Sequence, residues 1–417
     1  MTSAEEPRSD AGAARGQSVS KAARIVAWYK GLALFCFNIF VVILLLNFVF
    51  GLQRWSTQIL GLSPNDPITE SLGERVYAAY PGMSPEQVRA LLKETWSRTL
   101  GYQSFTPFRE RAHAGTYVNV HEAGFRVIPG TGAQGPWPLP PMGQQYTIFL
   151  LGGSTTFGYG VADDQTIATH LQAALNAPGS LASKLGKPVR VYNFGTGFYY
   201  SSQERILLQQ LLLQGATPDR VVFIDGLNEF AADNVVDHAW GAPTKELMDS
   251  VNRPAMFHFG KWFAQTPLGR AAGRAIKPPK VVNPSEPKPP TPQEQAKRSW
   301  DRYVMNTRLS AALCAGLKID CTFVWQPVPQ FGYELKNHLF AENLSSGFVG
   351  IEDGYALSQT QAARAGEGLD RLDLAGLQQG VSENLYVDRV HYTGAMNKRI
   401  AQRLAEHLTA GVGGSAR

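Results

Sequence analysis

The sequence predicts a three-layer α/β/α protein, a doubly wound parallel sheet covered by helices on both faces, behind a single N-terminal transmembrane helix. Three observations predict it. From Tyr146 onward, short apolar runs alternate with helical patterns. The first run, Tyr146–Leu151, is continuously apolar and ends in Gly152-Gly153, as a parallel strand buried on both faces does. Far upstream, residues 31–52 contain no charge and are interrupted only by Asn38 and Asn47 among strongly polar residues.

That upstream stretch fits a membrane. As a helix it reaches about 33 Å at about 1.5 Å per residue, enough for the hydrocarbon core. It exceeds the apolar core of a signal peptide and no A-x-A-like site follows it, so a signal anchor is expected. Arg15, Lys21, Arg24 and Lys30 precede the span, whereas only Arg54 follows closely. The positive-inside rule then keeps residues 1–30 in the cytoplasm as a disordered tail and places the rest outside, in the periplasm of a bacterium. Trp28, Tyr29 and Trp55 stand where interfacial aromatics belong.

Residues 53–140 read as an extracytoplasmic lead-in. Pro85–Leu100 is an amphipathic helix with Val88, Leu91, Leu92 and Trp96 on one face, and 117–120 and 124–127 alternate like short strands. The main domain, 141–411, follows a proline-rich boundary. After the first strand come a helix over 164–175 with Asp163-Asp164 as its cap, a strand over 189–192, and a helix over 203–214. Ser201 and Glu204 form a capping box for that helix. A strand over 221–224, a helix over 300–317, a strand over 321–325 and a final helix over 395–408 behind Thr393 complete the pattern. Between the third and fourth strands lies an insertion, about 231–300, that ends in 277–292, where seven of sixteen residues are proline. It reads as a cap or arm beside the active-site mouth or, equally, as a plain surface loop; Trp240, Trp262 and Phe263 are expected to pack in a core, with stacking on a sugar or an acyl chain as the alternative.

Composition narrows the function. A net charge of +5 over 417 residues, with basic residues scattered, leaves no nucleic-acid footprint. The three cysteines, Cys36, Cys314 and Cys321, exclude a disulfide scaffold and a thiolate metal site; free buried thiols are the expectation, with a Cys314–Cys321 pair the alternative in an oxidising compartment. The histidines at 113, 121, 170, 238, 258, 338 and 407 show no metal-ligand spacing. No cofactor is expected.

Open α/β sheets bind ligands beyond the carboxyl ends of their strands, and four groups fall there. Ser154 follows the first strand in Gly152-Gly153-Ser154-Thr155, Gly195 the second in Asn193-Phe194-Gly195, and Asn228 the third in Gly226-Leu227-Asn228-Glu229. Asp388-Arg389-Val390-His391 places an acid and a base three residues apart near the C-terminus. Acyl transfer needs these parts: a hydroxyl nucleophile, a base to take its proton, a carboxylate to fix the base, and donors for the oxyanion. A phosphate cradle lacks its Lys-Ser/Thr here, and the G-x-S-x-G elbow of α/β-hydrolases is absent.

In this order, over about 146–411, these residues resemble the SGNH (GDSL-like) hydrolase superfamily, whose sheet is flavodoxin-like. The block Gly152-Gly153-Ser154-Thr155 is similar to the G-G-S-T variant of membrane-anchored bacterial members, with Gly153 in place of the usual Asp. The resemblance implies Ser154 as nucleophile, His391 as general base and Asp388 as its orienting acid. It also implies the N–H of Ser154, the N–H of Gly195 and the Asn228 amide as oxyanion donors. The implied function is an esterase that removes or transfers acyl groups, acetyl above all, on extracytoplasmic carbohydrate or lipid. A catalytically idle binding or assembly component of an envelope polysaccharide machine is the alternative.

Overall fold

The structure, a computed structural model, describes residues 21–59, 67–130, 136–231, 255–275, 290–342, 344, 347–366 and 368–411. The chain divides into two compact units, 1–60 with 253–281 and 61–252 with 282–417. The N-terminal tail, Trp240 and the prolines from 278 to 289 lie outside the described residues.

The larger unit is built on five parallel strands, β1 (Tyr146–Gly152), β2 (Val189–Asn193), β3 (Arg220–Asp225), β4 (Asp320–Trp325) and β5 (Asp370–Asp373), in the order β2-β1-β3-β4-β5. The register places Leu150 beside both Asn193 and Val222, and Val222 beside Thr322. Every residue of β1 is buried, as its unbroken apolar run predicts. The two-residue alternation of a strand sorts the core. Ile148, Leu150, Val191, Val222 and Ile224 face the helices Ile167–Leu175 and Gly394–Gly411. Phe149, Leu151, Tyr192, Val221 and Phe223 face the helix Ser201–Leu213 and the C-terminal end of the helix Pro292–Leu317. The doubly wound three-layer fold is therefore present.

Several local expectations fail, most where a tertiary partner outbids a local one. The helix Ser201–Leu213 has Tyr200 at its N-cap and no side-chain capping bond, because Glu204 is fully buried against Asp225 instead. Thr166, not the Asp163-Asp164 pair, caps the helix Ile167–Leu175; Asp163 pairs with Arg126. The helix expected to begin at Trp300 begins at Pro292, behind a capping box of Thr291 and Glu294. Cys314 and Cys321 are joined in a disulfide with Cα atoms 6.2 Å apart, since the C-terminal end of the helix Pro292–Leu317 meets the start of β4. The fifth strand, Asp-Arg-Leu-Asp, offers one apolar residue among three charged ones and carries no strand signal.

The lead-in contributes to this unit's core. Ser84 caps the helix Pro85–Trp96 in a capping box, and its face of Val88, Leu91 and Leu92 packs with Phe157, Tyr159 and Val387.

The smaller unit contains α1 (Lys21–Ile59), which includes the charge-free span and holds its apolar side chains outward, together with α2 (Ala255–Gln265) and α3 (Pro267–Ala275) from the insertion. One helix is thus long and apolar enough to cross a membrane. Trp262 is 60% exposed rather than packed in a core.

Candidate active site

β1 runs into Gly152-Gly153 and then a single helical turn, Ser154–Phe157, closed by Gly158 in the left-handed conformation (φ 93°). The turn needs Gly153, because a Cβ there would strike the Asn228 amide nitrogen and lie 3.0 Å from the Tyr199 carbonyl oxygen. The buried Arg126 guanidinium holds the turn from behind. It donates to the carbonyl oxygens of Phe157, Gly158 and Val161 and pairs with Asp163 at 2.8 Å. Burial pulls the Arg126 pKa down, and the Asp163 carboxylate offsets part of that pull.

The loop before the C-terminal helix brings the acid and base to this turn. Ser154 Oγ lies 2.8 Å from His391 Nε2, and His391 Nδ1 lies 2.7 Å from Asp388 Oδ2. The second Asp388 oxygen accepts the backbone N–H groups of Val390 and His391, both at 2.9 Å. Burial alone would raise the Asp388 carboxyl. The charge and hydrogen bond of His391 and the two backbone donors outweigh it, so its pKa falls below the usual range. Asp388 and His391 are 5% and 6% exposed, so the pair works in a site largely closed to water.

The His391 ring is framed by two aromatics that the sequence did not single out as functional. Tyr159 stacks on it with centroids 5.6 Å apart and planes 21° apart, and Trp96 meets it edge-on at 5.3 Å. Tyr159 donates its hydroxyl to Glu110, which also pairs with Arg98 at 3.2 Å. The framing residues come from the lead-in and from the chain just after the Ser154–Phe157 turn. No spacing rule connects them to a histidine more than 200 positions away; the only local signal was Trp96 on the apolar face of its helix.

The oxyanion candidates divide. The Ser154 N–H belongs to the first helical turn, where no intrahelical acceptor exists. Asn228 abuts Gly153 and donates one amide hydrogen to the Tyr199 carbonyl at 2.7 Å. Gly195 does not fit the expected role: its N–H donates to its neighbour's side chain, Asn193 Oδ1, at 3.0 Å. Gly195 serves close packing instead, since a Cβ there would run into the backbone of Thr156 and Phe157. Asn193 completes this join by donating to the Thr156 carbonyl at 3.0 Å.

Behind the site three carboxylates are buried, Glu204, Asp225 and Glu229. Glu229 accepts the Ser201 N–H and pairs with Arg302, so it ties the β3 loop to its neighbours. Burial first raises the pKa values of both Glu204 and Asp225; the charges of Asp225 and Glu229 then raise Glu204 further, and that of Glu229 raises Asp225. Among the described residues, no group of His, Cys, Asp and Glu is arranged to hold a metal ion.

No protein-family model matches the chain, and no curated protein matches its sequence. Solved structures of similar fold include a member of the lipolytic protein G-D-S-L family from Veillonella parvula, 10% identical, covering 62% of this chain and 96% of that one (TM-score 0.34). A catalytic mutant of an acetylxylan esterase from Geobacillus stearothermophilus is 14% identical over 63% of this chain and 94% of that one (TM-score 0.35). A GDSL-like lipase from Bacteroides thetaiotaomicron is 11% identical over 69% and 92% (TM-score 0.30).

Proposed function

We propose that the chain is a membrane-anchored serine esterase that cleaves or transfers acyl groups through an acyl-serine intermediate. The observation that carries this reading is the continuous Ser154–His391–Asp388 relay, with heavy-atom separations of 2.8 and 2.7 Å. With Nδ1–H donated to Asp388, His391 Nε2 is the free lone pair, and it accepts the Ser154 hydroxyl proton as Oγ attacks the ester carbonyl. The Ser154 N–H and the Asn228 amide stabilise the tetrahedral oxyanion. His391 then returns its proton to the leaving alcohol oxygen. His391 next takes a proton from water, or from a sugar hydroxyl in the transferase variant, as that oxygen attacks the acyl carbon; when the bond from the acyl carbon to Ser154 Oγ breaks, His391 returns the proton to Oγ and the free serine is restored.

The hollow beside Gly153 and Asn228, lined also by Tyr199 and Gln326, has a volume of about 10 Å³, the space of one water. Two features support action outside the cytoplasm: basic residues precede the charge-free span of α1, and the Cys314–Cys321 bridge suits an oxidising compartment. Carbohydrate or lipid esters of the cell envelope are the substrates this reading takes, within or beside a polysaccharide machinery.

The test is p-nitrophenyl acetate turnover by the full chain in detergent, beside Ser154→Ala, His391→Ala and Asp388→Ala. Loss of turnover in all three variants supports the reading. Equal turnover in wild type and Ser154→Ala, with both folded, removes it. A folded but inert wild type points to the idle binding component.

A further inference from the structure

The insertion between β3 and β4 returns to the N-terminal helix. We infer that α2 and α3 form a helical hairpin that lies in the outer lipid–water interface, docked on the side of α1. The inference rests on the reading of α1 as a membrane span with the following chain outside.

The docking contact is specific. Most of α1 between 31 and 52 is exposed, but Val41, Ile43, Asn47, Phe50 and Gly51 are half-buried, the last four at the i, i+4, i+7 and i+8 positions of one helix face. Asn47 is one of the two polar interruptions of the apolar run. Its Oδ1 accepts the backbone N–H of Leu268 at 3.2 Å, and its Nδ2 donates to the Ile43 carbonyl at 2.9 Å. Leu268 stands in the first turn of α3, where backbone donors lack helical partners. Thr266 Oγ1 accepts the next one, Gly269 N–H, at 3.0 Å. Pro267 touches Gly51 at 3.9 Å from where a Cβ would stand. Gly269 lies against the backbone of Phe263 and Ala264, where a Cβ would not fit, so α2 and α3 turn closely on each other. An asparagine in an apolar span and the start of an amphipathic helix thus satisfy each other.

The depth agrees with an interfacial position. Asn47 precedes Leu52, the end of the charge-free run, by five residues, about 7–8 Å along a helix. Interfacial helices bury their apolar face about 5–10 Å into the headgroup and acyl boundary. Phe259 and Trp262 on α2 pack against each other at 5.5 Å yet remain 58% and 60% exposed. In lipid these are the aromatic residues an interfacial hairpin inserts; in water they would be an uncovered apolar pair. Residues 255–275 carry Lys261, Arg270 and Arg274 and no acidic residue, a balance that suits anionic headgroups.

The experiment uses the full chain in liposomes of phosphatidylethanolamine and phosphatidylglycerol, in a Cys36→Ser background. Single cysteines replace Phe259, Trp262, Val42 in α1 and the exposed Lys297, and each is labelled with an environment-sensitive fluorophore. Quenching is read with lipids carrying a nitroxide at shallow or deep positions, and with aqueous iodide. The expected result is several-fold stronger shallow-nitroxide quenching at 259 and 262 than at 297, with 42 quenched best by the deep nitroxide. Adding Asn47→Leu should lower the lipid quenching at 259 and 262 and raise the iodide quenching. If 42 is lipid-quenched while 259 and 262 behave like 297, the hairpin lies in water and the inference falls while the anchor stands. If 42 is not lipid-quenched, the anchor itself fails. Protection of 259 and 262 from both quenchers would place them against protein and also overturn the inference, and an unchanged depth in Asn47→Leu would overturn the docking contact.

Discussion

Replacing Asp388 with Asn separates the orientation of His391 from the mere presence of the loop. In the native site one Asp388 oxygen accepts two backbone N–H groups, from Val390 and His391, and the other faces His391 Nδ1. An asparagine keeps its carbonyl oxygen on the two backbone donors, because the opposite flip would set an NH2 against two N–H groups. Its NH2 then faces Nδ1, which must act as acceptor, so the ring proton moves to Nε2. Nε2–H now points at Ser154 Oγ, and the base is lost although the geometry stays. A wrong histidine tautomer of this kind costs about 10⁴ in kcat, roughly 5.5 kcal/mol of transition-state stabilisation. Stability should change little, because the backbone bonds of the loop survive. The assay is p-nitrophenyl acetate hydrolysis with thermal melting in parallel, and Ser154→Ala sets the floor. A folded Asp388→Asn enzyme within about tenfold of wild type in kcat, less than about 1.4 kcal/mol, would refute the orienting role of Asp388.

Other perturbations probe the surroundings. Gly153→Ala drives a methyl into the Asn228 amide, so kcat should fall by about 10²–10³ as an oxyanion donor is displaced, with the melt barely changed; undiminished turnover would remove Asn228 from that role. Arg126→Met strands the Asp163 carboxylate and three carbonyl oxygens, and should cost about 3–5 kcal/mol in denaturant unfolding. A loss below about 1 kcal/mol would show that Arg126 is no clamp. Burial, partly offset by the Arg389 carbonyl, holds the His338 pKa down at about 4. His338 Nδ1 accepts the Phe340 N–H at 2.9 Å, so protonation there opposes a donor. The unfolded chain binds that proton more readily, so stability is full above about pH 6.5 and declines as pH falls toward 4, by a few kcal/mol at most. His338→Gln should flatten the decline over that window, and an identical pH profile would contradict it.

Much of this molecule was legible in the sequence wherever one segment carried its own signal. The unbroken run of β1, the glycines after it and the acid–base pair near the C-terminus each pointed to a place in a parallel sheet, and Ser154, Asp388 and His391 do meet. What escaped was set by partners distant in sequence. Glu204 has the spacing of a capping box, yet its carboxyl is buried against Asp225 and Tyr200 takes the cap position. Asp163 stands where a cap belongs, but Arg126, from the preceding region, claims it. Gly195 sits where an oxyanion donor is expected, but its own neighbour Asn193 accepts its N–H first. Trp96 and Tyr159 frame His391 through stacking alone, and stacking partners leave no periodicity in a chain. Cys314 and Cys321 are paired because a helix end and a strand start converge, which residue spacing does not encode.

The central claim is that Ser154 is a nucleophile activated by His391. Labelling of the full chain with a fluorophosphonate, followed by mass analysis of the modified peptide, tests it most directly, because the reagent reacts with activated serines and needs no knowledge of the natural ester. The expected result is one adduct, on Ser154, formed rapidly by wild type and lost in both Ser154→Ala and His391→Ala. A folded wild type that stays unlabelled at pH 8, or an adduct that persists in Ser154→Ala, would contradict it.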